Sequence, residues 1–203
     1  MLFETTRGAL NQNSLNQIVT GLQNGGTMIY PTDTIYGLGC DIFNKAAIAK
    51  IYQLKKRERH KPLSIICSDI KEIAEYAIIP DFVFAILKKT LPGPYTYILK
   101  AKSHTPTSFI AKNKTVGIRI PDNKICQQIV AALGNPIITT SLNISEQAIL
   151  TNPEQLSKEL HNKIDIIISA GDLETDPSTI IDLSAGSPVL VRQGKGNISF
   201  LSL

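Results

Sequence analysis

The segment from Lys55 to Lys61 concentrates positive charge, because five of its seven residues are lysine or arginine. It lies between a predicted helix and a predicted strand, directly before Pro62. A lysine and an arginine separated by one residue can project to the same side of an extended chain and hold phosphate oxygens. The end of a helix also favours cations through its dipole. The charge density alone therefore leaves two interpretations open, a phosphate clamp and a solvated basic turn.

Two polar segments follow apolar strands in the sequence. One is the run TTSLN over residues 139–143, at the end of a strand that starts at Pro136. Its hydroxyl and amide groups can contact phosphates or bases, and they also form ordinary turns. The other is the run YPTDTIYGLG over residues 30–39, which matches neither of the common glycine-rich phosphate motifs. For this second run the sequence predicts either a functional loop or a plain connection between a strand and a helix.

Two arginines are predicted at positions where charge is unusual. Arg119 and Arg192 each lie in or just after a strand that should be mostly buried. A buried guanidinium requires an anionic partner. That partner is either a bound anion or a carboxylate of the protein, such as Asp122 or Asp182.

Several kinds of site are disfavoured by the sequence. The three cysteines and three histidines are scattered, so neither a disulfide framework nor a protein-built metal site is indicated. No serine or cysteine has an adjacent base in a known motif, which disfavours covalent catalysis. No apolar stretch approaches the roughly 20 residues of a membrane span, and no secretory signal is present. We therefore expect a cytoplasmic protein without membrane contact, and the net charge of +4 is compatible with anionic partners.

The hydrophobic pattern alternates helices and strands along the whole chain. Helices are predicted at residues 14–23, 45–55, 69–76, 80–90, 123–133 and 153–161. Strands are predicted at residues 27–30, 63–67, 95–100, 115–120, 137–141, 164–168, 179–183 and 189–192. No linker or repeat interrupts the pattern, so the sequence predicts a single α/β domain over residues 1–203 with a mixed sheet. Binding sites in such folds collect at strand ends, where the unusual residues lie.

Seven short motifs also occur in a fixed order. They are Y-P-T-D-T-x-Y-G-L (30–38), K-x-R with Lys61 and Leu63 (55–63), P-G-P-x-T (92–96), T-V-G-x-R-x-P (115–121), S-x-N-x-S (141–145), S-T-x-x-D (178–182) and V-R-x-G (191–194). In this order they resemble the YrdC-like family, which includes the threonylcarbamoyladenylate synthases of tRNA modification and the YciO branch. The resemblance implies a twisted mixed sheet with helices packed around it and a concave, basic groove.

The resemblance also implies a reaction. L-threonine, bicarbonate or CO2, and ATP would combine into threonylcarbamoyl-AMP and pyrophosphate, which supplies the t6A37 modification of tRNA. No enzyme nucleophile is needed, and Mg²⁺ would be held mainly by the nucleotide rather than by the protein. The tRNA-modification machinery would take up the intermediate as a downstream partner.

The family's site residues can be carried over only where the motifs match. Lys55 and Arg57 would be catalytic, on the phosphates. ATP would be bound by Lys55, Arg57, Lys61, Thr115, Ser141, Asn143 and Arg192. L-threonine would be bound by Thr34, Arg119 and Ser178, with the Arg119 guanidinium fork on its carboxylate.

The chain departs from the synthase pattern at a few positions. Glu58 stands where synthases usually have proline, and Cys67 stands where archaeal and eukaryotic synthases commonly have histidine beside the threonine site. Cys67 and the run YTYIL at residues 95–99 look more like the YciO branch. The alternative function is therefore binding of double-stranded or structured RNA, or of tRNA, through phosphate contacts in the basic groove. The absence of tryptophan and of an aromatic-rich strand disfavours single-strand recognition.

Overall fold

The computed structural model describes residues 1–5, 8–58, 62–142, 150–156, 158–173 and 176–201, with only the backbone of residue 159. Its helices are α1 (Gln12–Gln23), α2 (Lys45–Leu54), α3 (Ile70–Tyr76), α4 (Asp81–Thr90), α5 (Lys124–Leu133) and α6 (Lys158–His161). Its strands are β1 (Leu2–Glu4), β2 (Met28–Tyr30), β3 (Gly37–Asp41), β4 (Ser64–Ile66), β5 (Tyr95–Lys100), β6 (Thr115–Arg119), β7 (Ile137–Ser141), β8 (Ile166–Ser169), β9 (Thr179–Asp182) and β10 (Val189–Arg192). The predicted alternation of helices and strands is confirmed.

The strands form one ten-stranded sheet in the order β1-β8-β2-β3-β7-β4-β6-β5-β9-β10. The pairs β1/β8, β2/β8, β4/β6 and β5/β9 are parallel. The pairs β2/β3, β3/β7, β4/β7, β5/β6 and β9/β10 are antiparallel. The predicted α/β fold with a mixed sheet is therefore confirmed.

Each face of the sheet is covered by its own apolar cluster. One cluster contains the buried side chains of α2, α3 and α4, and the other contains those of α1 and α5. Successive side chains of strand β2 point to opposite faces of the sheet, so Ile29 packs in the first cluster while Met28 and Tyr30 pack in the second. This double cover explains why the central strands read as continuous apolar runs.

Helix starts follow local rules in this chain. Asn11, Asn44, Asp69 and Asn123 each precede a helix and accept a hydrogen bond from a backbone N–H of its first turn. Such a cap contributes about 1 kcal/mol, since it satisfies a donor that has no partner within the helix. The four capped helices each begin within two residues of the predicted start.

Three predictions about elements need correction. Strand β1 was not predicted, and β3 occupies part of the segment that was predicted to be a loop. Glycine normally weakens a strand, but in β3 close packing requires it. A Cβ atom on Gly39 would lie 2.4 Å from the Ile138 carbonyl oxygen, and a Cβ atom on Gly37 would lie 2.7 Å from the Tyr30 ring. The helix predicted at 153–161 is divided into a 3-10 turn, Pro153–Gln155, and the single turn of α6.

Candidate active site

A cavity of about 170 Å³ opens where the ends of several strands meet. Its lining comes from the segment before β3, the segment before β4, and strands β5, β6, β7, β9 and β10. The predicted site residues that line it are Arg57, Arg119, Ser141, Ser178 and Arg192. This volume is smaller than the roughly 300–1,000 Å³ of a typical ligand pocket. Residues 59–61 and 143–149, which are adjacent in sequence to Arg57 and Ser141, lie outside the described residues, and so do the predicted ATP contacts Lys61 and Asn143.

Arg119 is the most constrained cation of the cavity. Its side chain is only 10% exposed, and its Nη2 donates to Asp33 Oδ1 at 2.9 Å and to Thr34 Oγ1 at 3.0 Å. The internal ion pair that the sequence left open therefore exists, but its carboxylate is Asp33 rather than Asp122 or Asp182. Asp33 is fixed in turn, because its Oδ2 accepts the backbone N–H of Asp122 at 3.1 Å.

One donor of Arg119 remains without a partner. Its Nε is buried and makes no hydrogen bond within the described part of the chain. A buried donor without an acceptor costs about 1–3 kcal/mol, so such a group marks a place where an acceptor from a ligand would be stabilised. The guanidinium is thus fixed by its Nη2, and its Nε is a buried donor next to the cavity that Arg119 lines.

Arg192 reaches the same cavity from β10. It donates to the Ser178 carbonyl oxygen at 2.8 Å and approaches Ser178 Oγ at 3.4 Å, and the described residues give it no carboxylate partner. Partial burial and the neighbouring charge of Arg119 lower the pKa of Arg192. Three guanidiniums, those of Arg57, Arg119 and Arg192, line the cavity, and no aspartate or glutamate is among its described lining residues, so the site carries an excess of positive charge that suits an anion.

Lys55 is a buried cation at the end of α2. It is 5% exposed, and its Nζ donates to the Ser141 carbonyl oxygen at 2.9 Å. Burial, followed by the nearby charge of Arg57, lowers its pKa to about 8. Arg57 donates to the Pro62 carbonyl oxygen at 3.0 Å, whereas Lys56 between them is exposed and adopts φ 47°. The interpretation of residues 55–61 as a solvated basic turn therefore does not apply to Lys55, because its side chain is buried.

Hydroxyl groups complete the walls of the cavity. Thr34 Oγ1 lies 3.0 Å from Thr32 Oγ1, and Ser178 Oγ lies 2.8 Å from Thr96 Oγ1. Thr139 also lines the cavity, and its hydroxyl accepts a hydrogen bond from Tyr30. The sequence had pointed to Thr34 and Ser178 through the family motifs. It missed Asp33, Thr32 and Thr96, although Asp33 and Thr96 belong to two of those motifs.

Comparison with known proteins decides the family. The family model Sua5/YciO/YrdC, described as telomere recombination, matches residues 20–194. The chain belongs to the Sua5/YciO/YrdC family. YciO of Escherichia coli is 35% identical over 189 residues, which is 92% of each chain, and its crystal structure superimposes with a TM-score of 0.93 over 99% of this chain and 98% of that one.

Family members named as synthases are also similar to this chain. Threonylcarbamoyl-AMP synthase of Vibrio vulnificus is 31% identical over 186 residues, which is 90% of this chain and 99% of the relative. The crystal structure of Pyrococcus abyssi Sua5 complexed with L-threonine matches with a TM-score of 0.89 at 26% identity. That match covers 96% of this chain and 57% of the Sua5 chain.

Thr34 and Lys55 are not among the lining residues but hydrogen-bond to Arg119 and Ser141, which are. Two other residues of the family comparison, Thr115 and Cys67, lie away from the cavity. Thr115 is at the other end of β6, four residues or about 13 Å from Arg119 along the strand, and its hydroxyl donates to Asn113 Oδ1 at 2.7 Å. Cys67 is 2% exposed and packs in the apolar cluster, where burial raises the pKa of its thiol well above the ordinary value. The side chain of Cys67 therefore belongs to the apolar core and not to the lining of the cavity. Ser64 of β4 lines the cavity instead.

The described residues contain no group of three or more His, Cys, Asp or Glu side chains that could hold a metal ion. None of the described helices is long and apolar enough to cross a lipid bilayer.

Proposed function

We propose that this member of the Sua5/YciO/YrdC family joins L-threonine, bicarbonate or CO2, and ATP into threonylcarbamoyl-AMP and pyrophosphate. The observation that carries the proposal is the buried Arg119, which is held by Asp33 and lines the cavity together with Arg192. Such a guanidinium is suited to the carboxylate of an amino acid. The similarity to a threonylcarbamoyl-AMP synthase and to a Sua5 complexed with L-threonine supports the choice of substrate.

The chemistry requires no nucleophile from the protein. The amine of threonine attacks CO2 and loses a proton, which gives a carbamate. A carbamate oxygen then attacks the α-phosphorus of ATP, the bond between the α-phosphorus and the bridging oxygen breaks, and pyrophosphate leaves with the electron pair. With bicarbonate as the carbon source, one water is released. The enzyme's contribution is to hold three reactants in line and to stabilise negative charge on the phosphate oxygens.

The cations divide between the two ends of the substrate. Arg119 would hold the threonine carboxylate, with Thr34 and Ser178 beside the amino acid. Lys55, Arg57 and Arg192 would face the phosphates, with Lys61, Ser141 and Asn143 proposed as further ATP contacts. Thr115, at the other end of β6, makes no contact in this arrangement. This donor set fits a triphosphate, which would bring Mg²⁺ with it, and Mg²⁺ would neutralise charge on the leaving pyrophosphate. The experiment that tests the function is formation of product from all three substrates.

The affinity for ATP should depend on pH through Lys55. The pKa of this ammonium is about 8 in the free protein, so it is charged at pH 7 and loses its proton as the pH rises through 8. Because the phosphates require the charged form, ATP binding must take up a proton at higher pH, and the dissociation constant should rise by about fivefold to tenfold between pH 8 and pH 9. Titration calorimetry with ATP and Mg²⁺, without threonine, measures this directly. A dissociation constant that stays flat to pH 9.5 would contradict a phosphate contact by Lys55.

A further inference from the structure

Three adjacent strands place a row of small residues across the floor of the cavity. Thr139 of β7 is the direct neighbour of Ser64 of β4, and Ser64 is in turn the neighbour of Gly117 of β6. Thr139 and Ser64 both line the cavity, and we call them the hydroxyl pair. Because neighbouring strands are about 4.8 Å apart, two such hydroxyls can contact one small ligand group together.

The Thr139 hydroxyl is oriented by Tyr30, a residue that does not line the cavity. Tyr30 of β2 is completely buried, and its ring lies over Gly37 and Gly39 of β3, the strand between β2 and β7. The phenol thereby reaches across β3 and donates a hydrogen bond to Thr139 Oγ1. A hydroxyl has one proton, so Thr139 accepts from Tyr30 and keeps its own proton for another acceptor. Within the described residues no acceptor takes that proton.

Ser64 provides the second hydroxyl of the pair. A Cβ atom on Gly117 would lie 2.6 Å from Ser64 Oγ, so the glycine leaves the space in which this hydroxyl lies. Ser64 is half-buried, and the described part of the chain gives its hydroxyl no hydrogen-bond partner. Polar groups in such places are normally hydrogen-bonded, so both members of the pair are available to a ligand.

The strand directions place the hydroxyl pair between Arg119 and Ser141. Arg119 follows Gly117 by two residues along β6, and Ser141 follows Thr139 by two residues along β7, so each stays on the face of its neighbour. Strand β6 runs parallel to β4, whereas β7 runs antiparallel to it. Arg119 and Ser141 therefore lie on opposite sides of the row, each about 7 Å from it along its strand.

The two other cations of the site belong to the Ser141 side. Lys55 donates to the Ser141 carbonyl oxygen, and Arg57 donates to the carbonyl oxygen of Pro62, which precedes Ser64 by two residues. The hydroxyl pair is thus flanked by the guanidinium proposed for the amino-acid carboxylate and by the cations proposed for the phosphates.

We propose that the hydroxyl pair binds the carboxyl group derived from bicarbonate, and that Tyr30 positions Thr139 for this contact. The inference rests on the proposed function, in which the carbon from bicarbonate links the threonine amine to the α-phosphate. That carbon must lie between the carboxylate on Arg119 and the phosphates, which is where the pair lies. One carbamate oxygen attacks phosphorus, and the other accepts hydrogen bonds from the pair. A donor such as Thr139 requires an acceptor, so the threonine ammonium is not the group bound there.

The test compares two ligands by titration calorimetry, L-threonine and N-carbamoyl-L-threonine. Both carry the carboxylate for Arg119, but only the second carries a carbonyl group where the carbon from bicarbonate would be. The variants are Thr139→Val, which removes the hydroxyl at constant shape, Thr139→Ser, which keeps it, Ser64→Ala and Tyr30→Phe. A variant with a damaged fold would lose both ligands, so the affinity for L-threonine is the internal control. Steady-state kinetics with bicarbonate varied gives a second readout.

The valine and alanine variants should each bind N-carbamoyl-L-threonine about fivefold to tenfold more weakly, the effect of one lost hydrogen bond. Their affinity for L-threonine should stay within about twofold of the wild type, and the KM for bicarbonate should rise while the KM for threonine does not. Thr139→Ser should behave like the wild type, and Tyr30→Phe should weaken the carbamoyl ligand by about threefold because Thr139 loses its orienting donor.

Equal losses for the two ligands, no loss for either, or a serine variant as impaired as the valine variant would overturn the inference. A wild type that binds L-threonine but not its carbamoyl derivative would also overturn it, while the proposed function would stand. Binding of the carbamoyl ligand that depends on the pair, without product from labelled bicarbonate, would support the subsite and contradict the proposed function. Binding of neither ligand would contradict both.

Discussion

Replacement of Arg119 by lysine should lower kcat/KM for L-threonine by about 100-fold or more while leaving the affinity for ATP within a few-fold of the wild type. Lysine retains a charge opposite Asp33 but cannot provide the planar fork of donors with which a guanidinium can bind Asp33 and a ligand carboxylate together. A charge-assisted hydrogen bond to a carboxylate contributes about 1.5–3 kcal/mol, and its loss leaves the ligand's charge poorly solvated. Steady-state kinetics with threonine varied at saturating ATP measures the effect.

The alanine variant of Arg119 serves as the severe form of the same test. It should abolish threonine-dependent turnover, and it should also lower stability by about 3–5 kcal/mol, because Asp33 would be left as an unpaired buried carboxylate. The lysine variant separates the two effects, since it keeps the ion pair. If the lysine variant folds and uses L-threonine as well as the wild type does, Arg119 does not hold the substrate carboxylate.

Replacement of Lys55 by methionine should have two opposite effects, a loss of about 100-fold or more in turnover and a gain of about 1 kcal/mol in stability at pH 7. The loss follows because the ammonium stabilises charge on the phosphates in the transition state. The gain follows because burial opposes the charged form of Lys55, as its lowered pKa of about 8 records, and methionine fills similar space without charge. The lost hydrogen bond to the Ser141 carbonyl offsets part of the gain.

The stability of the wild type should also rise with pH between about 8 and 10.5, since the unfolded chain still binds the proton of Lys55 over that interval while the folded chain has released it. The methionine variant should lack this contribution to the slope. Chemical denaturation with urea at several pH values measures both quantities. The exposed neighbour Lys56 provides the matched control, and its replacement by methionine should change turnover less than twofold and stability by less than about 0.5 kcal/mol. Equal effects at the two positions would refute the assigned role of Lys55.

The fold could be predicted largely from the sequence because its helices and strands carry strong local signals. The hydrophobic pattern of the amphipathic helices predicted their boundaries within a few residues. Strand β3 was not predicted because its two glycines have a low propensity for strands. Glycine is required at these positions because the Tyr30 ring and the Ile138 carbonyl pack closely against them, and such tertiary contacts cannot be read from the sequence.

The site was predictable in part. Motif order indicated Lys55, Arg57, Arg119, Ser178 and Arg192, and the structure brings these residues to one region. The partner of Arg119 was not found, because Asp33 lies 86 positions away along the chain and sequence proximity had favoured Asp122. Cys67 was assigned to the site from its place at a strand end. A shift of one residue along a strand reverses the face, however, and the structure places this side chain in the core.

The central claim is tested most directly by incubating the purified protein with ATP, Mg²⁺, L-threonine and isotopically labelled bicarbonate, and by following the label into threonylcarbamoyl-AMP by chromatography and mass spectrometry. We predict labelled product together with an equal amount of pyrophosphate, both dependent on all three substrates and both lost when Arg119 is replaced by lysine. Absence of labelled product, beside an active synthase assayed in parallel, would contradict the proposed function.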